Sequence, residues 1–393
     1  MNGKSNFSTS KVGIIAVSHL AHDVYPAFLA VMMPLLIANL HLSYSQSGLI
    51  FFLSQIPSIL TPLLGVFMDR YNFRYLAALS PAVSALTMSF IPGIASFEFI
   101  CILTFLSGLN SALYHIPTPV MIKEYAGDKI GRGMSLYMFG GEIARTVGPL
   151  MIMAALAWWG SEGAYKIALP GIVVSIALLI SLRKSNMHNG NEAGRQDSMK
   201  SLKYTWKRLR RIFIISIGLV LSKAFLIKAL TSYLPTYMTA NNADLWMAGA
   251  ALSILQLAGA AGALTSGTLS DYFGRKRMIF IVTATAPLFM LWFIYADTAF
   301  YLPLLIIMGF VNFSINPLLL AMIQEQESEY PASANSIYMT INFVVNSVVA
   351  YLFGFLSDYI SLNGVYLAAA IASAIGMPFV ILLPGKIFGR YSK

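Results

Sequence analysis

The chain has 393 residues, 57% of them hydrophobic and 11% charged, with a mean hydropathy of +0.70. Soluble domains carry about 25% charged residues, so a soluble enzyme is excluded. The lone cysteine, Cys101, excludes an internal disulfide and a cysteine-rich metal site, and without a GxxxxGK[ST] or HExxH sequence neither an ATP-driven pump nor a zincin protease is expected.

A helix that crosses a bilayer needs about 20 apolar residues. The sequence predicts twelve, centred near Ala30, Ile59, Ala82, Leu109, Leu150, Ile176, Leu219, Ala258, Ala286, Phe310, Val345 and Ala372. The first begins near Val12. It is too long for a signal-peptide core and lacks a small-residue cleavage pattern after it, so it reads as a retained helix. It carries Ser18-His-Leu-Ala-His-Asp-Val-Tyr25. At about 100° per residue, His19, His22 and Asp23 share one arc. A charge at the bilayer centre costs about 2.5–3.5 kcal/mol, so that arc should face the protein interior. An Asp partly desolvated beside imidazoles suits a proton carrier near neutral pH. The plainer reading is a satisfied buried hydrogen-bond cluster. A divalent metal site is a third reading, but three residues of one helix rarely close a site alone, and no metal is expected.

The second span leads into Gly65-Val-Phe-Met-Asp69-Arg70. The fourth ends in Tyr114-His-Ile-Pro-Thr-Pro119, where two prolines break the helix ladder and free carbonyls. His115 there either titrates or donates to those carbonyls. The fifth carries Gly140-Gly-Glu-Ile-Ala-Arg-Thr-Val-Gly-Pro149, with Gly141, Glu142, Arg145 and Gly148 on one face. Its glycines permit close helix packing. Glu142 and Arg145, at i and i+3, can neutralise each other. The pair is either structural or a switch, in which protonating Glu142 frees Arg145 to hold an anion.

The longest polar segment, 183–211, separates six spans from six. The expected organisation is an N-terminal bundle over 1–182, a basic linker over 183–211 lying on the anionic inner leaflet, and a C-terminal bundle over 212–393. The seventh span carries Lys223 and Lys228, about 140° apart around the helix, and Lys223 is the better cavity candidate. The eighth leads into Gly267-Thr-Leu-Ser-Asp271 and Phe273-Gly-Arg-Lys-Arg277, at the place in the second half that Gly65–Arg70 holds in the first. In such a motif glycine allows close helix approach and the helix-end aspartate pairs with loop cations, forming a latch that must break when that face opens. Gly354-Phe-Leu-Ser-Asp358 has the same form but falls at the opposite face, so it reads as coincidence. Asn312 and Asn316 precede Pro317, and Asn342 and Asn346 share a stripe in the eleventh span. These amides are either interhelical glue or substrate ligands, together with Tyr25 and Tyr114.

Placing both termini in the cytoplasm puts nearly every Lys and Arg inside. Only Lys166 falls outside, with Arg145, Lys223 and Lys228 within spans. This satisfies the positive-inside rule, so the +10 net charge needs no nucleic-acid partner. The three intramembrane cations outnumber Asp23 and Glu142, which leans toward an anionic or zwitterionic substrate.

The repeated inner-loop motif resembles that of the major facilitator superfamily. It matches at Gly65, Asp69, Arg70 and Arg74, and again at Gly267, Asp271, Gly274, Arg275 and Lys276, with Asn72 and Tyr272 as departures. The resemblance implies an all-α integral membrane fold of twelve helices in two pseudo-symmetric six-helix bundles. The stretches Ser18–Tyr25 and Tyr114–Pro149 are similar to the fosmidomycin-resistance group of drug efflux proteins. That similarity implies proton-driven export of a small organic anion or drug from a bacterial inner membrane. In contrast, Leu150-Met-Ile-Met153 lacks the later glycines of the antiporter helix. Import of a small organic solute or a siderophore-type metal chelate, by symport or uniport, is the second reading.

The combined expectation is a proton-coupled secondary transporter, not an enzyme, monomeric and without a cofactor. Asp23, Glu142, His22, His19 and His115 would handle the proton. Arg145, Lys223, Tyr25, Tyr114, Asn312, Asn316, Asn342 and Asn346 would bind substrate. Gly65, Asp69, Arg70, Gly267, Asp271 and Arg275 would form the gate.

Overall fold

In lipid every backbone polar group must be satisfied internally. The computed structural model describes residues 7–61, 74–183, 198–326 and 330–385, which are helical with no strand among them. The expected latch residues Gly65, Asp69 and Arg70 lie outside the described residues.

The first crossing is α1 (Thr9–Asp23) continued by α2 (Phe28–Leu40). The jog between them holds Pro26, which cannot donate to the helix ladder. The second crossing begins with α3 (Tyr44–Gln55) and the third is α4 (Arg74–Ser89). The fourth is α5 (Phe97–His115) followed by α6 (Pro117–Ala126), interrupted where the sequence places its proline pair. The fifth is α7 (Ile130–Gly163) and the sixth α8 (Leu169–Leu182). The second set opens with α9 (Ser198–Thr231) and its short continuation α10 (Leu234–Ala240). Next come α11 (Leu245–Phe273), α12 (Arg275–Tyr295), and the tenth crossing as α13 (Tyr301–Phe313) with α14 (Ile315–Gln324). The last two crossings share α15 (Pro331–Ala374), broken at Ile360 and at Ser361, where φ is 66°, and end in α16 (Met377–Leu382). Among the described residues, eleven of the twelve expected spans are present in full and the second is followed as far as Thr61.

The expected linker is shorter than its polarity suggests. Residues 200–211 belong to α9, which runs unbroken into the seventh span. Ser201, Thr205 and Leu209 are buried at i, i+4 and i+8, while Lys203, Lys207, Arg208, Arg210 and Arg211 are exposed. A charged face with a buried stripe is an amphipathic helix. Composition alone reads it as a linker because the basic residues dominate.

The described residues form two compact units. One contains residues 7–42, 50–183 and 242–253 apart from the undescribed stretch, and the other contains 43–49, 198–241 and 254–385 on the same terms. The pieces 43–49 and 242–253 are thus exchanged relative to a simple split at the middle of the chain. The first core gathers Val12, Ile15, Ala77, Tyr114, Tyr125 and Leu178. The second gathers Phe213, Leu219, Ile279, Leu318 and Tyr338. Outward-facing side chains such as Trp158, Ile180, Leu264, Leu288 and Ile381 are more than half exposed. Apolar exposure on this scale is foreign to a soluble monomer and is what lipid contact requires.

Helix approach in the second unit depends on glycines other than the one expected. A Cβ at Gly262 would stand 2.1 Å from the Phe310 carbonyl oxygen, and one at Gly309 would stand 2.3 Å from the Leu255 oxygen. Gly267 would meet nothing within 4 Å, so it is not a close-approach glycine. Gly274, with φ of 86°, makes the sharp turn between α11 and α12, a conformation that L side chains resist.

Gly309→Ala should therefore destabilise the protein by about 1–3 kcal/mol through overpacking. Gly267→Ala should be neutral or stabilising by about 0.5–1 kcal/mol, since Ala is the better helix former. Melting of the purified protein in detergent, followed by tryptophan fluorescence, checks both signs.

Candidate functional site

The interior of the first unit holds a polar cluster built by α1, α5 and α7. It exists because α1 and α7 approach closely. A Cβ at Gly140 would lie 2.5 Å from the Ala16 oxygen, and one at Gly148 would lie 2.7 Å from the Val24 oxygen. At Gly141 it would lie 2.6 Å from Cε1 of the His19 ring. The imidazole therefore occupies the space a side chain at 141 would fill.

Asp23 stands at the centre. Its Oδ2 is 3.2 Å from His19 Nε2, and its Oδ1 is 3.3 Å from His115 Nε2. His22 Nε2 approaches Oδ1 to 3.9 Å and has no hydrogen-bond partner, although it is fully buried. Tyr137 frames the cluster. Its ring stacks on His19 with centroids 3.9 Å apart, and its carbonyl lies 2.7 Å from His19 Nδ1. Tyr114 stacks on His22 at 4.2 Å. Behind His22, Nδ1 meets Ser84 Oγ at 3.0 Å, and Asn110 Nδ2 donates to the same oxygen at 2.9 Å.

Hydrogen positions follow from the partners. The Tyr137 carbonyl can only accept, so His19 Nδ1 carries a hydrogen. Thr118 donates its hydroxyl hydrogen to the Tyr114 carbonyl at 2.9 Å, which makes it the acceptor of the Tyr137 hydroxyl at 2.8 Å. The Tyr137 oxygen then accepts from His115 Nδ1 at 3.2 Å. Both histidines thus hold their Nδ1 hydrogens away from Asp23. Each Nε2···Oδ contact needs a further hydrogen, because a bare imidazole lone pair facing a carboxylate oxygen is repulsive. His115 therefore faces Asp23; it is the Thr118 hydroxyl that takes up the Tyr114 carbonyl beside the prolines.

His19, Asp23 and His115 offer donor atoms within 4.8 Å of one another, a set that could hold a divalent ion by composition. Their geometry is pairwise, however. Each imidazole meets a different carboxylate oxygen at hydrogen-bond distance, as two N–H···O contacts do.

The other expected residues of this unit fall in distinct places. Glu142 and Arg145 form a hydrogen-bonded ion pair along α7. The Arg145 side chain is 43% exposed. Tyr25 is committed to the backbone: its hydroxyl donates to the Ile167 carbonyl at 3.0 Å and accepts from Gly171 N at 2.9 Å, tying the jog between α1 and α2 to the start of α8. The Tyr114 hydroxyl is likewise engaged, with Ser18 Oγ at 2.8 Å.

In the second unit, Lys223, Asn316, Asn342 and Asn346 line one cavity of about 30 Å³, room for roughly one water. Lys223 Nζ donates to Ser373 Oγ at 2.9 Å and is buried. Asn342 and Asn346 donate to carbonyls of their own helix, at 3.1 and 2.9 Å, and Tyr338 bridges to Asn316 Oδ1 at 3.3 Å. Asn312 is apart from the cavity, buried and donating to the Met308 carbonyl. The second motif copy forms an ion network. Arg275 Nη2 is 3.4 Å from Asp271 Oδ1, and Arg275 Nε donates to Glu325 at 2.6 Å. Beside it, Lys276 Nζ donates to the Ile381 and Leu383 carbonyls, each at 2.7 Å, closing the end of α16.

The profile of the Major Facilitator Superfamily matches residues 15–350. The chain belongs to the major facilitator superfamily. It is 24% identical to the fosmidomycin resistance protein of Escherichia coli (strain K12), over 97% of this chain and 94% of that one. It is also 24% identical to the uncharacterized MFS-type transporter YfnC of Bacillus subtilis (strain 168), over 94% and 92%. Among solved structures, it resembles a bacterial homolog of the human lysosomal transporter Spinster, in an inward-facing and occupied conformation. The TM-score is 0.79 at 13% identity, covering 97% of each chain. A D-xylose–proton symporter gives 0.73 at 17% identity, covering 95% of each. The family is one of membrane transporters of small molecules.

Sequence reasoning missed Tyr137, Ser84, Asn110 and Glu325. Tyr137 had a signal: it precedes Gly141 by one helical turn and so shares the face that meets α1. Ser84 and Asn110 had none, because one buried Ser or Asn in an apolar helix looks like any other.

The Gly141–His19 contact makes a testable coupling. Gly141→Ala should destabilise by about 1–3 kcal/mol. In a His19→Ala background the same change should cost far less, so a double-mutant cycle on thermal stability should show a coupling of about 1 kcal/mol or more.

Proposed function

We propose that this chain is a proton-coupled secondary transporter that exports a small organic anion by alternating access. The observation that carries the reading is the hydrogen balance at Asp23. The carboxylate sits between two imidazoles whose Nδ1 hydrogens are already committed. The trio stays together with two shared hydrogens and comes apart with one. Proton loss is thereby coupled to side-chain position. The titratable groups that face it are His19 and His22 on α1, His115 and Tyr114 on α5, and Tyr137 on α7. His115, with 38% of its side chain exposed, is the member able to swing to water, while His19 at 6% is held.

Arg145 supplies the anion-binding charge. Its partner Glu142 is on the same helix, so a bound anion competes with Glu142 directly. That competition sets the affinity for the anion, and the proton exchanged for it is the one held at Asp23. The name of the Escherichia coli relative, a fosmidomycin resistance protein, supports export as the direction and makes fosmidomycin a first probe. Lys and Arg placement supports a bacterial inner-membrane protein with both termini cytoplasmic. One proton charge moving down 100 mV supplies about 2.3 kcal/mol, roughly a fifty-fold concentration ratio.

Proteoliposomes made acidic inside should accumulate fosmidomycin, and Asp23→Asn should abolish that accumulation. Accumulation by the variant at the parent rate would overturn the proton role. Accumulation only with an alkaline interior would identify import by symport, the second reading. For the anion site, Glu142→Gln should tighten fosmidomycin binding at neutral pH several-fold and Arg145→Ala should weaken it by roughly tenfold or more, as loss of a charge-assisted contact implies. Titration calorimetry of the purified protein measures both.

A further inference from the structure

The Gly354–Asp358 segment repeats the form of the inner-loop motif at the opposite end of the second unit, and its geometry is not that of a coincidence. Asp358 lies near the end of the first half of α15, just before the break at Ile360 and Ser361. Its Oδ1 accepts from Tyr44 N at 2.8 Å, and its Oδ2 accepts from Ser45 N at 2.8 Å. The Ser45 hydroxyl donates to the same Oδ2. Asp358 therefore caps the first turn of α3, from 314 residues away in the chain.

Two glycines bring the backbones together. A Cβ at Gly354 would stand 2.1 Å from the Tyr44 oxygen, and one at Gly48 would stand 2.9 Å from the Tyr351 oxygen. The Tyr233 hydroxyl borders both glycines and donates to the Ala350 carbonyl at 3.0 Å. This packing is why residues 43–49 group with the second unit although α3 from Ile50 onward groups with the first.

The cap is not needed to form the helix. Ser43 Oγ accepts from Gln46 N at 3.1 Å, and Gln46 Oε1 accepts from Ser43 N at 2.9 Å, a complete capping box. Asp358 adds a carboxylate against the positive end of the helix dipole and takes the two N–H groups the box leaves over. A helix that caps itself, and is also held by a distant carboxylate, has a contact it can release without unfolding.

We propose that Asp358 is a gate residue, with Gly354, Tyr44 and Ser45: a detachable latch that holds the first turn of α3 and is released when the face formed by the α2–α3 and mid-α15 turns opens. Charge placement makes this the outer face. The proposal rests on alternating access within the family and is independent of the proton and substrate assignments.

The test uses the full-length chain in intact cells, with Cys101→Ser as background and Ser47→Cys as reporter. Ser47 is fully buried beneath the latch. A membrane-impermeant maleimide should label the reporter slowly in the parent. Asp358→Asn should speed labelling roughly tenfold, as loss of charge-assisted hydrogen bonds implies. Tyr44→Pro removes one of the two N–H donors at a position where helices accept proline. It should shift labelling the same way by a smaller factor, and it stands in if Asp358→Asn fails to reach the membrane. Labelling unchanged within about twofold in both variants, where the contact should shift populations further, would overturn the latch. So would acceleration by Asp358→Asn alone, which would divorce the carboxylate from the helix end. Labelling confined to inside-out vesicles would overturn its assignment to the outer face.

Discussion

The first unit is organised around one carboxylate that could not be left alone in a low-dielectric interior. A buried charge is tolerated only where partners satisfy it. Asp23 receives His19 from its own helix and His115 from α5, and α7 supplies the carbonyl and hydroxyl that fix both rings. Three helices are thereby placed relative to one another by the needs of a single side chain. The glycines of α7 are the steric condition for this, since a larger residue at 141 would displace His19. The contacts that satisfy the carboxylate are therefore the same ones that hold the rings in place.

Much of this was legible in the sequence, for identifiable reasons. Hydropathy gave the spans because lipid imposes a length and a composition on anything that crosses it. Charge among apolar residues is costly enough that Asp23, Glu142, Arg145 and Lys223 stood out against their surroundings. The histidine arc of α1 followed from helical spacing. What the sequence could not supply was the third dimension between helices. Tyr137 and Asn110 are ordinary residues until α7 and α5 are docked. The roles of Gly262, Gly309 and Gly267 could not be ranked, because a glycine's use depends on what lies opposite it. The basic helix of 200–211 was read as linker because its buried stripe is built of Ser, Thr and Leu and carries little hydropathy.

The two units handle polarity differently. The first uses titratable groups in contact with one another. The second uses Lys223 with hydroxyl and carbonyl partners, and amides that bond mostly to their own backbones. Amides satisfied within their own helix can keep carbonyl oxygens turned to a ligand without leaving a donor stranded when it departs. The ion network at the start of α12 has another character. Arg275 is shared between Asp271 and Glu325, so either acid can leave while the guanidinium keeps a partner.

The Glu142–Arg145 pair lies along a single helix, three residues apart. Both charges ride on one rigid rod, and no rearrangement elsewhere alters the distance between their anchor points. On the proposed reading of Arg145 as the anion's partner, the competition an arriving anion would meet from Glu142 is the same from either side of the membrane. On that reading, a directional bias in affinity would originate outside this pair, in what hydration and neighbouring groups offer at each aperture.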